Sequence, residues 1–439
     1  MSQSILNVPF EDIYRTTSGG TPSRSHQEYY AGNIPWLKSG ELEDNIIFDT
    51  QEKITQKAID NSSAKLFPKG TLLIALYGAT IGKLGILGIN ATTNQAICAI
   101  FENNLIVSKY TYYYLFFKRQ KFISIGFGGA QPNISQDIVR KQLFPLIAFE
   151  EQKQIVSTID QLFSDLDNAV ENLKKVREQL KIYRQSVLKY AFEGKLLSIE
   201  QPLTKRLGDL TELITKGASP RWQGIKYVSD ASQVLFITSE NVQVYNLDIS
   251  EPKYVEVKIN DKQKRSILKK GDVLLNIVGA SIGRSTVYNE NIIANINQAV
   301  ALIRCKVELN NQYLTYFLNS GMAWHFYDSK KVDVARANLS LTDVANIPIP
   351  FYETKIQNEI VSEIEKRFSI CDKLETTIDE NIQKSGVLRQ SILKQAFEGK
   401  LTEHWRREHQ DLITGENSAE ALLAKIKAEK ETLKKQKGK

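Results

Sequence analysis

One stretch of this chain occurs twice. Residues 184–196 read RQSVLKYAFEGKL and residues 389–401 read RQSILKQAFEGKL, identical at eleven of thirteen positions and 205 residues apart. A repeat of that quality constrains the fold before any local feature does. Upstream at the same offset, Gln152, Ile155 and Val156 align with Gln357, Ile360 and Val361, Pro145 with Pro350, and Asn133-Ile134-Ser135 with Asn338-Leu339-Ser340. The offset then shrinks. Asn94-Gln95-Ala96 matches Asn297-Gln298-Ala299, residues 69–83 (KGTLLIALYGATIGK) match 270–284 (KGDVLLNIVGASIGR), and Thr21-Pro22-Ser23 lies opposite Ser219-Pro220-Arg221. Small loop insertions on a shared scaffold produce such drift. The 439 residues are therefore two copies of one unit, followed by a tail from 401 to 439.

Each copy has a mixed part and a helical part. In the mixed parts, 1–148 and 205–351, β-branched and aromatic runs such as Thr71–Leu76 and Val273–Val278 are broken by glycine turns and predict strands. The runs at 107–121 and 307–319 predict short amphipathic helices. The fold class is α/β or α+β. The stretch 71–89 is apolar enough to raise a membrane span, but Lys83 and four glycines interrupt it, and two buried strands fit it better.

The helical parts, 149–204 and 352–400, carry apolar residues at alternating steps of four and three, a coiled-coil seam. In the first copy the seam is Ile155, Ile159, Leu162, Leu166, Ala169, Leu173, Val176, Leu180, Tyr183, Val187 and Tyr190. In the second it is Ile360, Ile364, Cys371, Leu374, Ile378, Leu388, Ile392 and Gln395, interrupted by Arg367, Asn381 and Ser385. Forty-odd helical residues span about 60 Å, and a mixed domain of this size is only about 40 Å across. The second domain must connect the end of one helix to the start of the next, so the helices should run antiparallel, with a mixed domain at either end of one rod. The tail predicts an amphipathic helix over Ala419–Thr432, with Leu422, Leu423 and Ile426 on one side. Its lysines form a solvated face, or else a surface for a partner or for DNA.

No catalytic set repeats. Gly78–Lys83 has only three residues between its glycines and Leu84 after the lysine, and the second copy has Arg284 for the lysine, so it is not a nucleotide-binding P-loop. Asn7-Val8-Pro9-Phe10 lacks the first proline of the Asn-Pro-Pro-Phe motif of amino-methyltransferases. Gly126–Gly129 does not run into a clear helix, and Glu151-Gln152-Lys153 has no carboxylate counterpart. Three widely separated cysteines and four histidines make no disulfide framework and no metal motif, which suits a reducing cytoplasm. A protein duplicated without a duplicated acid–base set is a binder.

The ligand expected of a duplicated reader is duplex DNA, in keeping with a net charge of +7. Polar and cationic residues cluster near glycine or proline turns in both copies: Ser23, Arg24, Lys38, Lys83, Gln131 and Asn133 in the first, and Arg221, Trp222, Lys226, Arg284, Arg336 and Asn338 in the second. Arginine reads guanine, asparagine or glutamine reads adenine, and lysine holds phosphate.

In order, these motifs resemble the specificity subunits of type I restriction–modification systems. Its carriers are Gly20-Thr-Pro-Ser23, Ile34-Pro-Trp36, the turn at 78–83, Asn94-Gln-Ala96, and helices ending in Ala191-Phe-Glu-Gly-Lys195 and Ala396-Phe-Glu-Gly-Lys400. The second copy departs at the first motif, with Gly217-Ala-Ser-Pro-Arg221. The resemblance covers essentially the whole chain. It implies a subunit without catalysis, in which two target-recognition domains each read half of a bipartite DNA site. It further implies coiled-coil helices that set the spacing and dock two adenine-N6 methyltransferase subunits, with ATP-dependent restriction subunits joining them. S-adenosylmethionine, ATP and magnesium then belong to those partners and no cofactor to this chain. Two other readings stay open: the specificity subunit of a system with fused nuclease and methyltransferase, and a coiled-coil adaptor that binds no DNA.

Overall fold

The structure, a computed structural model, describes residues 5–126, 133–330 and 338–437. Two compact units divide the chain, and they do not follow its linear order. The first joins residues 1–171 to 381–439, and the second is 172–380. The boundaries pass through the middle of two 44-residue helices, Phe149–Phe192 and Thr354–Phe397.

In the first unit a five-stranded sheet has the order Thr16–Ser18, Ile97–Ile100, Leu72–Ala75, Leu84–Leu87, Asn45–Ile47. A second sheet orders Glu52–Ile54, Ile34–Leu37, Ala91–Thr93 and Leu66–Phe67. The apolar stretch that raised the membrane question is thus two buried antiparallel strands around a glycine turn. Among the described residues no helix is long and apolar enough to cross a membrane. A ribbon pairing Leu6–Pro9 with Leu143–Leu146 closes the domain just before the long helix. The helix expected at 107–121 is Ser108–Gly126.

The second unit repeats this plan. Its sheets order Thr211–Lys216, Val300–Cys305, Val273–Asn276, Ser285–Val287, and Tyr227–Val228, Tyr254–Val255, Val234–Ile237, Ala294–Ile296. The ribbon is Leu203–Arg206 with Pro348–Phe351. The helix expected at 307–319 is Asn311–Leu318, and a further helix, Gly321–Lys330, follows it.

Each long helix begins on its own mixed domain. Fully buried Gln152 donates to the Ile147 carbonyl and accepts from the Val107 amide, and Gln357 does the same with Tyr352 and Asn310. The far ends are buried in the other repeat. Phe192 sits 5.1 Å from Tyr313 and 5.2 Å from Phe317, ring centre to ring centre, within the second unit. Phe397 sits 5.4 Å from Tyr110 and 5.6 Å from Tyr114 within the first. Val187, Leu188 and Ala191 join Phe192, while Ile392, Leu393 and Ala396 join Phe397. Gly194 and Gly399 then end the helices with φ of +76° and +75°, which only glycine adopts without strain. Packing thus accounts for much of the near-identity of the two helix ends.

Within each unit the helices run antiparallel. In the second, Arg177 pairs with Asp379 at 3.1 Å and Arg184 with Asp372 at 2.6 Å, forward on one helix and backward on the other. In the first, Arg389 pairs with Asp167, and farther along Thr402 bonds Glu151. The Arg184–Asp372 pair and the Arg389–Asp167 pair are images of each other under the repeat. Each arginine also lies over the matching ring, Arg184 at 4.9 Å from Phe368 and Arg389 at 4.7 Å from Phe163.

The seam differs from the sequence expectation. Ile155, Ile159, Leu180, Val187, Ile360, Ile364 and Ile378 are buried. Leu162, Leu166, Leu173 and Ile392 are half-buried and Ala169 exposed. Leu374 and Leu388 are 46% and 50% exposed, and Val176, Tyr183 and Tyr190 also face solvent. A straight α-helix drifts about 20° per heptad from a 3.5-residue repeat. Across 44 residues the buried face therefore changes: Cys371 stays inside as expected, while Phe163, Leu188, Phe368 and Leu393 take further inner positions.

The tail adds an asymmetric feature. Its helix, Ala419–Lys437, buries Leu422 and Ile426 in the first unit's core. Glu151, which has no carboxylate counterpart in the second copy, makes a buried ion pair with Arg406 at 2.8 Å. Burial pushes its carboxyl up against the opposing pull of Thr402 and Arg406.

The crossed docking is testable. Phe192→Ala should cost about 3–5 kcal/mol and raise hydrogen exchange in residues 205–351, not in the domain that precedes it. Phe397→Ala should do the same to residues 1–148.

Candidate nucleic-acid interface

Backbone hydrogen bonds draw the repeated motifs together in each unit. In the first, the Gly20 amide donates to the Thr93 carbonyl (2.9 Å), Asn94 to Leu37 (2.9 Å), Leu76 to Ala96 (2.8 Å) and Ile134 to Leu76 (2.9 Å). Tyr77 bridges Asn133. The Gly-Thr-Pro loop, the end of the Ile34–Leu37 strand, Asn94-Gln-Ala96, the 78–83 turn and Asn133 therefore share one locus. In the second, Gly217 donates to Asn297 (3.2 Å), Asn297 to Ile237 (3.0 Å), Ile277 to Ala299 (2.9 Å) and Leu339 to Ile277 (2.9 Å), and Val278 bridges Asn338.

The close approach explains the first glycine. A Cβ on Gly19 would lie 2.2 Å from the Thr93 carbonyl oxygen, and one on Gly217 1.7 Å from that of Ile296. The turns at 78–83 and 279–284 share left-handed glycines and deliver Lys83 and Arg284 to equivalent places, each partly buried. Arg284 donates to the Gln243 side chain at 2.9 Å. The Gln95 side-chain oxygen accepts from Thr21, whereas that of Gln298 is buried and unpaired.

The other predicted residues differ between units. Ser23 and Arg24 are exposed. The Arg24 guanidinium bonds Glu52 at 2.8 Å and lies 4.2 Å above the Tyr30 ring and 5.3 Å from Trp36. Lys38 bonds the same carboxylate at 2.8 Å. Arg24 first, then Lys38, holds the Glu52 carboxyl below the usual carboxylate range. In the second unit Arg221 is exposed and Trp222 is 81% exposed. Lys226 is exposed beside the edge strand Tyr227–Val228, its amide bonded to the Glu256 carboxylate at 2.9 Å. Gln131 and Arg336 lie outside the described residues. Glu52 and Gln95 were missed by sequence reasoning. An acidic residue reads as hostile to DNA, and only strand register reveals that Glu52 stands opposite Trp36. Gln95 belongs to a motif that was noticed as a repeat and not as a surface.

The arrangement presents cations, amides and aromatic rings on a fixed frame, groups that can bind DNA. Comparison with known proteins agrees. The family described as "Type I restriction modification DNA specificity domain" matches twice, at residues 7–180 and 203–384. The chain is 31% identical over 318 residues to the EcoBI specificity subunit of Escherichia coli, an alignment covering 68% of this chain and 66% of that protein. It is 27% identical to the EcoKI specificity subunit of Escherichia coli strain K12, across 90% of this chain and 89% of that one. In fold it resembles the HsdS subunit from Thermoanaerobacter tengcongensis, with a TM-score of 0.54 at 18% identity, covering 88% of this chain and 97% of that one. It also resembles a chain from a structure of complex assembly and conformational transition in the type I R-M system, with a TM-score of 0.62 at 17% identity, covering 88% and 98%. Two copies of the domain, each followed by a long helix, place this chain in the type I restriction–modification DNA specificity family.

Proposed function

We propose that each mixed domain reads one half of a bipartite DNA site, and that the long helices set the unread gap and dock two adenine-N6 methyltransferase subunits, one per unit. Methyl transfer, with S-adenosylmethionine, is the work of those subunits, and ATP-driven cleavage that of restriction subunits that join them.

One observation carries the docking. After the buried residues are set aside, the repeated helix ends still share an exposed surface. Ser186, Lys189, Glu193 and Lys195 reappear as Ser391, Lys394, Glu398 and Lys400. Lys195 bonds Glu193 at 2.7 Å, as Lys400 bonds Glu398 at 2.8 Å. One turn earlier, Ile182 and Val387 stand at equivalent places, 68% and 71% exposed, beside Tyr183 and Leu388. A large exposed aliphatic side chain flanked by charge, present once in each unit, suits two copies of one partner.

Three outcomes follow. Replacing residues 1–148 with the corresponding domain of another family member should change one half of the methylated sequence and leave the other, read by mapping methylated adenines. Adding one heptad to each long helix should lengthen the helical spacer by about 10 Å and the preferred gap by on the order of three base pairs. Ile182→Glu or Val387→Glu should each lower the number of methyltransferase subunits bound per chain from two to one, and the double variant to none, measured by native mass spectrometry. An unchanged stoichiometry in the double variant would move the docking surface elsewhere.

A further inference from the structure

Resting on the reading of each mixed domain as a half-site reader, we propose that Arg24, oriented by Glu52, reads a guanine in the first domain's half-site. The side chains present at equivalent places in both domains, Lys83 with Arg284 and Asn133 with Asn338, hold the DNA backbone.

Two readers on one frame that face different half-sites separate their residues by role. A cation or an amide at the same place in both is positioned to meet what the half-sites share. What both domains meet alike is phosphate and sugar, where contacts position the protein and carry no sequence information. Lys83 and Arg284 leave equivalent glycine turns, and Asn133 and Asn338 bridge equivalent strand ends.

The domains differ in the loop that follows Gly19 and Gly217. Thr21-Pro22-Ser23-Arg24 in one is Ser219-Pro220-Arg221-Trp222 in the other. The difference continues in the strand beneath. Opposite Trp36 stands Glu52, whereas opposite Phe236 stands Lys253, whose carbonyl accepts the Phe236 amide at 2.8 Å. Lys253 turns to Glu240 at 2.7 Å. The first domain thus has a carboxylate where the second has an ammonium, and a fork where the second has an 81% exposed indole.

The geometry around Arg24 fits a base reader. Guanine is recognised by two parallel donors to O6 and N7, and a guanidinium carries five. One nitrogen, Nη1, is held by Glu52 at 2.8 Å and the plane rests 4.2 Å over Tyr30, so the remaining donors are aimed before DNA arrives. A half-exposed ion pair adds little stability; its effect here is orientation. Lys38 on the same carboxylate leaves the trio with a net positive charge, so Glu52 does not repel the phosphates. Glu52 is therefore a positioning residue. Trp222 offers a flat apolar face and no fork, so the second domain does not read guanine at this place.

The test maps methylated adenines in the host genome, with this chain and its partners at natural levels. Deleting the chain should abolish a bipartite methylated motif; its persistence would remove the half-site reading, and this one with it. Given the motif, Arg24→Ala should lower the preference for a guanine at one position of the first half-site by roughly 5- to 150-fold and leave the second half-site intact. Glu52→Ala should broaden that same position only. Lys83→Ala should reduce methylation at all sites with the motif unchanged. If Arg24→Ala silences methylation altogether, Arg24→Lys decides, since it keeps the charge and loses the fork. Loss of the guanine preference supports the assignment, whereas its retention, or silence again, overturns it. An unchanged motif in Arg24→Ala, or a change in both half-sites, also overturns it.

Discussion

The insertion of Phe192 and Phe397 into aromatic cores made by the opposite repeat is the contact on which the rest depends. Each ring is set among two or three others at the base of a mixed domain, and each lies two residues before a left-handed glycine that ends the helix. Aromatic burial of this kind stabilises by several kcal/mol beyond what surface ion pairs offer. The Arg184–Asp372 and Arg389–Asp167 pairs accordingly add register to helices whose buried apolar contacts carry the energy.

The recognition face follows the opposite rule. Its frame is backbone bonded to backbone, with glycines where a methyl group would collide, so the frame persists while the side chains on it change. That separation lets one architecture hold a carboxylate-braced arginine in one unit and an exposed tryptophan in the other. The Asp44 and Tyr245 backbones show the same economy. Both adopt positive φ, at 62° and 61°, to meet Leu84 and Ser285. In the first unit Asp44 then captures Arg119, whose Nε also donates to Gly82 at 2.8 Å, and braces the turn that carries Lys83.

Most of the architecture was legible in the sequence because the repeat printed it twice. The strands at 72–75 and 273–276, the long helices and their antiparallel sense all follow from alignment, periodicity and chain length. The seam was legible only in part, at its first turns and at Leu180, Val187, Cys371 and Ile378, because a 3.5-residue template drifts against an ideal α-helix. That is why Leu374 and Leu388 were placed inside and Phe163 and Phe368 overlooked. The crossed docking was invisible for another reason. Leu188, Ala191 and Phe192 read as an ordinary helix end, and nothing local says which domain receives them. Glu52 escaped because its meaning lies in cross-strand register with Trp36, which composition does not encode.

The first unit is assembled from the two ends of the chain, and the second from its middle. On the ribosome this inverts the usual order of maturation. The domain made first has its strands by residue 148, yet Tyr110 and Tyr114 lack their cover until Phe397 emerges. At about 5–20 residues per second, that wait is on the order of tens of seconds. The middle unit is contiguous from 172 to 380 and can close sooner. The aromatic core of the N-terminal domain is thus completed only once the second long helix has been made. Any nascent chain that stops short of the second helix end leaves an uncovered aromatic surface, a mark by which the cell's quality control can tell a truncated product from a finished one.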